Sequence, residues 1–286
     1  MKSIKVAVTT WDKTETASTS FAEAIKELGF ARALKGANIR RTPRNRDGKD
    51  DAEKRSAYCM FLHFLMVIFH ADNFFQFLGT KRADEAAAKS TSYRFLEDKS
   101  FNWRKLVALV AVNAIKLISG LTSNIRIKCF ILDDSVISRS RAKMVELLSY
   151  IYDHVIGKTV KGFNLLLLGW TDGYSFIPIL FNMMASSKPV LKEEERNARQ
   201  KARESIDKRT NGYKARKDAK LKKTDAAIKM LEYALSMGIT ASYVLMDTWF
   251  TTEPFVKRIN DLGLDVIGML KDCKQQYFYN DRLYGL

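Results

Sequence analysis

The sequence predicts an α/β chain, with a mainly helical first part over residues 1–122 and a mixed sheet from about residue 123 onward. Three observations carry this. Helix-length apolar patterns with start and stop signals fill the first part, short apolar runs bounded by turn residues fill the second, and the last of these runs alternate with amphipathic helices. With 286 residues, 47% of them hydrophobic and 11% aromatic, the chain has material for one large core or two smaller ones.

Ser18 opens a helical pattern that stops at Gly29. Residues 38–56 are polar and charged and suit a loose connection. Helical patterns return at about 57–78 and 103–119. Between them, Lys89–Glu97 passes from polar to aromatic and suits a recognition helix or an ordinary packing helix equally. The stretch Tyr58–Leu78 is the most apolar, but it carries His63, His70, Asp72, Asn73 and Gln76. A membrane helix needs about 20 apolar residues with few or no charges, so a buried helix is expected. The first residues lack a signal-peptide layout, and a soluble, cytoplasmic protein is expected.

The first strand is an apolar run from Ile125 that ends on Asp133, Asp134 and Ser135. A helical segment is expected at about 139–155. Phe163–Thr171 reads as a buried strand, Asp172–Gly173 as a primed hairpin turn, and Tyr174–Phe181 as the returning strand. Pro178 cannot donate to a ladder, which places that strand at a sheet edge. A helix at 226–237 closed by Gly238, a strand at 242–247, a helix at 252–262 with Pro254 in its first turn, and a strand at 264–270 complete the order. Helical crossovers imply parallel pairing. An antiparallel three-strand meander followed by parallel βαβ strands is a ribonuclease-H-like mixed sheet, in which the first and fourth strands are parallel neighbours.

That layout brings two strand-end carboxylates together. Asp133 and Asp134 end the first strand, and Asp247, followed by Thr248, Trp249 and Phe250, ends the fourth. An isolated charge is too costly to bury, so such residues face a mouth. Two carboxylates there suit a hard cation and phosphate chemistry. A helix-capping role would explain Asp247 alone, and Asp172 is sufficiently explained by the turn. Cys59, Cys129 and Cys273 show no metal spacing, and His63, His70 and His154 are equally scattered.

A net charge of +16 points to a polyanion, with nucleic acid the first candidate. The charge is concentrated: residues 192–223, within an expected basic insert at 188–223, hold thirteen Lys and Arg against six Asp and Glu. Such a run suits a solvated helix face or phosphate contact; the contact candidates are Arg209, Lys214, Arg216 and Lys217. Trp249 suits core packing or DNA stacking equally.

The segments Ile131–Ser135, Tyr152–Pro178 and Val244–Phe250, with the Gly-Trp-Thr-Asp-Gly hairpin and the Asp-Thr-Trp-Phe run, resemble DDE transposases of the insertion-sequence-4 type over roughly residues 90–275. In that family the first acid ends the first strand before a small hydroxyl residue, which maps it to Asp134 before Ser135. Asp133 is the alternative, because a one-residue shift swaps sheet faces. The second acid maps to Asp247. The resemblance implies two Mg²⁺ (or Mn²⁺) ions, water-driven cutting at transposon ends, attack of the freed 3′-hydroxyl on target DNA, and a homodimer in a bacterial, nucleoid-associated complex. It implies a catalytic domain over 123–286 and a DNA-binding domain over 1–122. The family's third acid, a glutamate on a late helix, has no counterpart, and Glu253 lies too close to Asp247 to be it. A chain truncated before that acid, inactive or impaired alone, is therefore expected. The alternative is a DNA-binding fragment without catalysis that occupies transposon ends or inhibits the full-length enzyme.

Overall fold

A computed structural model describes residues 23–40, 56–69, 74–79, 86–123, 125–186, 189–190, 194, 205–270 and 276–285. The expected connection at 41–55, most of the 188–204 part of the basic insert, Cys273 and His70 lie outside the described residues. The chain falls into two compact units. One comprises Met1–Ala114 with Ile206–Lys214, the other Ile115–Ser205 with Ala215–Leu286.

The first unit is helical. Residues 23–27 form a helical turn, and α1 (Phe30–Gly36), α2 (Ala57–Phe69), α3 (Phe74–Phe77), α4 (Lys89–Leu96) and the start of α5 (Trp103–Leu121) follow. Ala33, Leu34, Ile39, Met60, Phe95, Phe101 and Leu106 share one core. Gly29 separates the first turn from α1 with φ 67, a conformation that glycine adopts at no steric cost. The segment Lys89–Leu96 packs inward: Thr91, Ser92 and Phe95 are buried, and Phe95 meets Phe101 and Trp103 edge-on. The returning segment 206–214 is tied to the helical unit by hydrogen bonds. Gly212 N donates to Lys99 O at 2.8 Å, and Asn211 Nδ2 donates to Ser100 O at 2.7 Å.

The second unit is the ribonuclease-H-like α/β part. Its strands are β1 (Cys129–Ser138), β2 (Ser149–Asp153), β3 (Lys158–Thr171), β4 (Phe176–Met184), β5 (Tyr243–Met246) and β6 (Asp265–Gly268). They form one mixed sheet in the order β2-β3-β1-β5-β6, with β4 also paired to β3. The strands β1, β3 and β4 make the antiparallel meander. β1 pairs β5, and β5 pairs β6, both parallel. α6 (Asn211–Asp218), whose first residues belong to the helical unit, α7 (Lys223–Ser236) and α8 (Glu253–Asn260) are the late helices, and β7 (Gln276–Tyr279) pairs with β8 (Arg282–Gly285) as a separate hairpin.

Alternation along the strands explains the layering. Phe130, Leu132, Leu166, Leu168, Trp170, Val244 and Met246 are buried, and register puts them on one face. α7 packs on β3 and β4 through a face of small residues, with Ala226, Ala227 and Ala234 buried beside Leu231. Small side chains let the helix axis approach the sheet, and full burial of a side chain such as Leu231 is worth about 1.5–3 kcal/mol. Trp170 spans this layer and donates from Nε1 to Thr240 O at 3.2 Å.

Two local expectations are corrected. The helix expected at about 139–155 is absent. Leu147 has φ 64, which no right-handed helix accommodates, and residues 149–153 alternate between the faces of β2. Asp153 closes the following turn by accepting from Val155 N at 2.9 Å. The second correction is the Asp172–Gly173 turn. Thr171 pairs with Phe176, so the loop holds four residues rather than two. Only Gly173 has positive φ, whereas a type I′ turn needs it at both central positions. Side-chain bonding overrides the two-residue turn. Asp172, with its side chain 2% exposed, accepts from Ser175 N at 2.8 Å, Tyr174 N at 3.2 Å and Arg126 Nη1 at 2.6 Å. Pro178 lies, as expected, on a strand paired on one side only, next to a register shift at Leu168/Gly169.

Burial pushes the Asp172 carboxyl up, but the Arg126 hydrogen bond and the two backbone N–H donors outweigh it and hold it at about 2. A carboxyl held below its unfolded value contributes stability that is complete above pH ~4 and lost as pH falls through about 2. Asp172→Asn should therefore lower the urea midpoint at pH 5 and flatten its further fall between pH 4 and 2. Asp172→Ala should cost about 2 kcal/mol or more at neutral pH, because it orphans a guanidinium and two N–H groups.

Candidate active site

The first strand does not stop on its aspartates as expected: β1 runs on to Ser138, so Asp133 and Asp134 lie mid-strand opposite Leu167 and Leu166 of β3, just past the point where the pairing of β1 with β5 ends, and Asp247 follows the end of β5. In the parallel ladder of β1 and β5, Phe130 stands opposite Val244 and Leu132 opposite Met246. The pairing stops there; the next positions in line are Asp133 with Asp247, and then Asp134 with Thr248. Paired positions share a face, so Asp133 falls on the face of Ile131 and Leu245, with Asp247 the next position along that face. Asp134 falls on the opposite face with the buried Leu132.

The side-chain bonds follow this division. Asp133 is exposed and accepts from Ser135 Oγ at 3.1 Å, two residues along the same face. Asp134 is ion-paired with Lys223, the first residue of α7. The Lys223 ammonium also lies over the Trp249 ring, 4.8 Å from its centroid. Asp247 is exposed, and its Oδ1 accepts from Thr248 N at 2.5 Å and Thr248 Oγ1 at 3.1 Å. Its carbonyl accepts from Thr251 Oγ1 at 3.1 Å and Phe250 N at 3.0 Å. The buried Phe250 anchors this turn and meets Trp249 edge-on at 4.8 Å, leaving Trp249 54% exposed.

The remaining sequence candidates separate into paired and exposed cations. Arg209 is bidentate to Asp207 at 2.8–3.1 Å, and that hydrogen bond holds Asp207 at about 2. Arg216 is paired with Glu146 at 3.0 Å. Lys214 and Lys217 are exposed. Glu253 starts α8 and is bonded to Lys257 at 2.6 Å. Sequence reading did not single out Lys223. Its signal was a lysine at the start of a helix, where the dipole disfavours cations.

Oxygen donors gathered where the β1–β5 pairing ends suit a hard divalent cation that keeps several waters. The exposed carboxylates of Asp133 and Asp247 are of the donor type such an ion takes. Among the described residues, no group of three or more His, Cys, Asp or Glu is gathered that could hold a metal. Among them, too, no helix is long and apolar enough to cross a membrane.

The turn that presents Asp247 depends on a glycine. Gly268, opposite Met246 in the ladder, has Thr251 so close that an added Cβ would collide with its side chain. Gly268→Ala should displace Thr251 from the Asp247 carbonyl and destabilise the unit by about 1–3 kcal/mol. Thr251→Ala, which removes the hydroxyl that lies nearest, should relieve the clash in the double variant, as read by thermal melting.

Comparison with known proteins adds the family. Comparison with curated proteins found no match. Among solved structures, one similar chain is in a Drosophila P element transposase strand transfer complex. It is 8% identical at a TM-score of 0.30, over 94% of this chain and 53% of that one. This chain thus spans about half the length of that relative. The model of the DDE superfamily endonuclease family matches residues 79–283, a span that includes every strand of the sheet and Asp133, Asp134 and Asp247, and the chain belongs to that family.

Proposed function

We propose that the protein is a DNA transposase of the insertion-sequence-4 type, cutting strands at transposon ends and joining the freed 3′-hydroxyl to target DNA. Residues 123–286 form its catalytic part, the N-terminal helices assist DNA binding, and the active complex is a homodimer. The observation that carries this reading is the β1–β5 register, which leads from Leu132 and Met246 onto Asp133 and Asp247. The family match supports the reaction class.

In this reading Asp133 and Asp247 hold the divalent ion, Mg²⁺ or Mn²⁺. When bound, such an ion activates the attacking hydroxyl and neutralises charge on the leaving oxygen. The chain's own residues orient the ligands. The Ser135 hydroxyl steadies the Asp133 carboxylate, the Thr248 N–H and hydroxyl hold one oxygen of Asp247, and Thr251 fixes the Asp247 backbone. Register favours Asp133 over Asp134 as the first ligand, because Asp134 is engaged by Lys223. Two carboxylates make a partial site for two ions, so cleavage by this chain alone is weak.

A second reading is DNA binding without catalysis. The absence of a three-ligand cluster among the described residues favours it. Plasmid nicking separates the two. Loss of outer-shell partners costs a metal site about 10–100-fold, so Asp133→Asn and Asp247→Asn should each lower Mg²⁺-dependent nicking by more than about 100-fold. Asp134→Asn should cost much less. Equal loss in Asp134→Asn with tolerance of Asp133→Asn would move the first ligand to Asp134. Nicking that survives all three changes would remove the site from the reaction, and no nicking by the purified chain favours the second reading.

Both readings require DNA binding that weakens with salt. Lys214 and Lys217 are exposed candidates, and Arg209 and Arg216, though paired with Asp207 and Glu146, keep further N–H donors for a phosphate. Lys217→Ala should weaken binding about equally for any DNA sequence, measured by fluorescence anisotropy.

A further inference from the structure

We propose that Lys223 is a positioning residue of this site, a cation fixed by Asp134 and the Trp249 ring so that it takes a backbone phosphate of the bound DNA strand. This rests on the reading of the strand ends as a DNA-processing site.

Lys223 occupies an unfavourable place for a merely solvated lysine. It begins α7, and Lys222 at the cap position makes no side-chain capping bond. A cation in the first turn of a helix is disfavoured by the helix dipole. The lysine is nevertheless drawn inward. Its side chain is 21% exposed and that of Asp134 is 29% exposed, and its ammonium lies over an indole already braced by Phe250. The long flexible stem is thereby restrained at both sides of its charge. An ammonium has three N–H donors. One carboxylate oxygen and one ring face leave donor capacity, and partial exposure leaves it accessible. The position is two residues from Asp247 along the chain at Trp249 and one residue from Asp133 at Asp134.

This accounts for the doubled aspartate. With successive side chains on opposite faces, Asp133 serves the carboxylate side of the strand end, and Asp134 holds the cation that meets the strand being processed. A purely structural ion pair could be replaced as a whole by packed apolar residues at little cost. A phosphate-binding role requires the charge itself.

The test is the salt dependence of DNA binding, measured in EDTA so that it is independent of cleavage. Wild type, Lys223→Gln, Lys223→Met and Lys223→Arg are compared by anisotropy on one duplex. Loss of one phosphate contact should reduce the slope of log Kobs against log salt by about 0.9 in Lys223→Gln and Lys223→Met, and Lys223→Arg should restore it. Mn²⁺ affinity, read by electron paramagnetic resonance, should be kept in Lys223→Met and lost in Asp133→Asn. An unchanged slope in Lys223→Gln and Lys223→Met, with thermal melting confirming folded protein, would overturn the proposal and leave the pair structural. Survival of nicking in Asp133→Asn and Asp247→Asn would instead overturn the nuclease reading without touching this result.

Discussion

In a parallel strand pair, residues that stand opposite each other share a face of the sheet, and here that rule acts on β1 and β5 at the sheet's centre. The pair cannot be made locally. Parallel neighbours need a crossover, and this one runs out through β2, β3, β4 and α7 before β5 returns beside β1. Every earlier element therefore has to be in place for the two strand ends to meet. The buried pairs Phe130 with Val244 and Leu132 with Met246 set the register. A slip of one residue would carry Leu132 out of the core, so packing of apolar side chains dictates where the carboxylates stand.

The charges at that end follow from the same alternation. The face that carries the buried side chains admits a carboxylate only with a counter-charge, and Lys223 supplies it to Asp134. The other face leaves Asp133 and Asp247 exposed and bonded to hydroxyl and amide donors. One pair of adjacent aspartates thus lives in two electrostatic settings. Elsewhere in the unit, paired carboxylates serve structure: Asp172 with Arg126 locks a loop, and Asp225 with Arg258 joins the starts and ends of α7 and α8 at 2.8 Å.

Much of the second unit was legible because its signals are local and agree. The late helices have Gly238 and Gly263 at their ends, both with positive φ, and their strands are short apolar runs between such stops. The edge position of β4 followed from Pro178 alone. The region after β1 was misread for a physical reason. A turn begins at Leu147 in a left-handed conformation that its side chain gives no reason to expect, and the alternation of β2 spans five residues only, too few to outweigh a helical pattern. The return of residues 206–214 to the helical unit was equally hidden, because Asn211 reaches Ser100 across a long stretch of sequence and backbone carbonyls carry no sequence signal.

The site shows the same limit at its sharpest. Sequence places a carboxylate pair at the end of β1 and one carboxylate at the end of β5, but a small hydroxyl residue nearby cannot choose between Asp133 and Asp134, since Ser135 is one step from either face. The choice depends on which apolar residue of β1 is buried opposite which residue of β5, and that is a tertiary fact. With Leu132 opposite Met246 as the last pair, Asp133 and Asp247 are the next positions along one face, and Ser135 returns to the face of Asp133, where its hydroxyl bonds the carboxylate. Asp134 is then left on the helical side, and a lysine at the least favourable end of α7 becomes the residue that explains it.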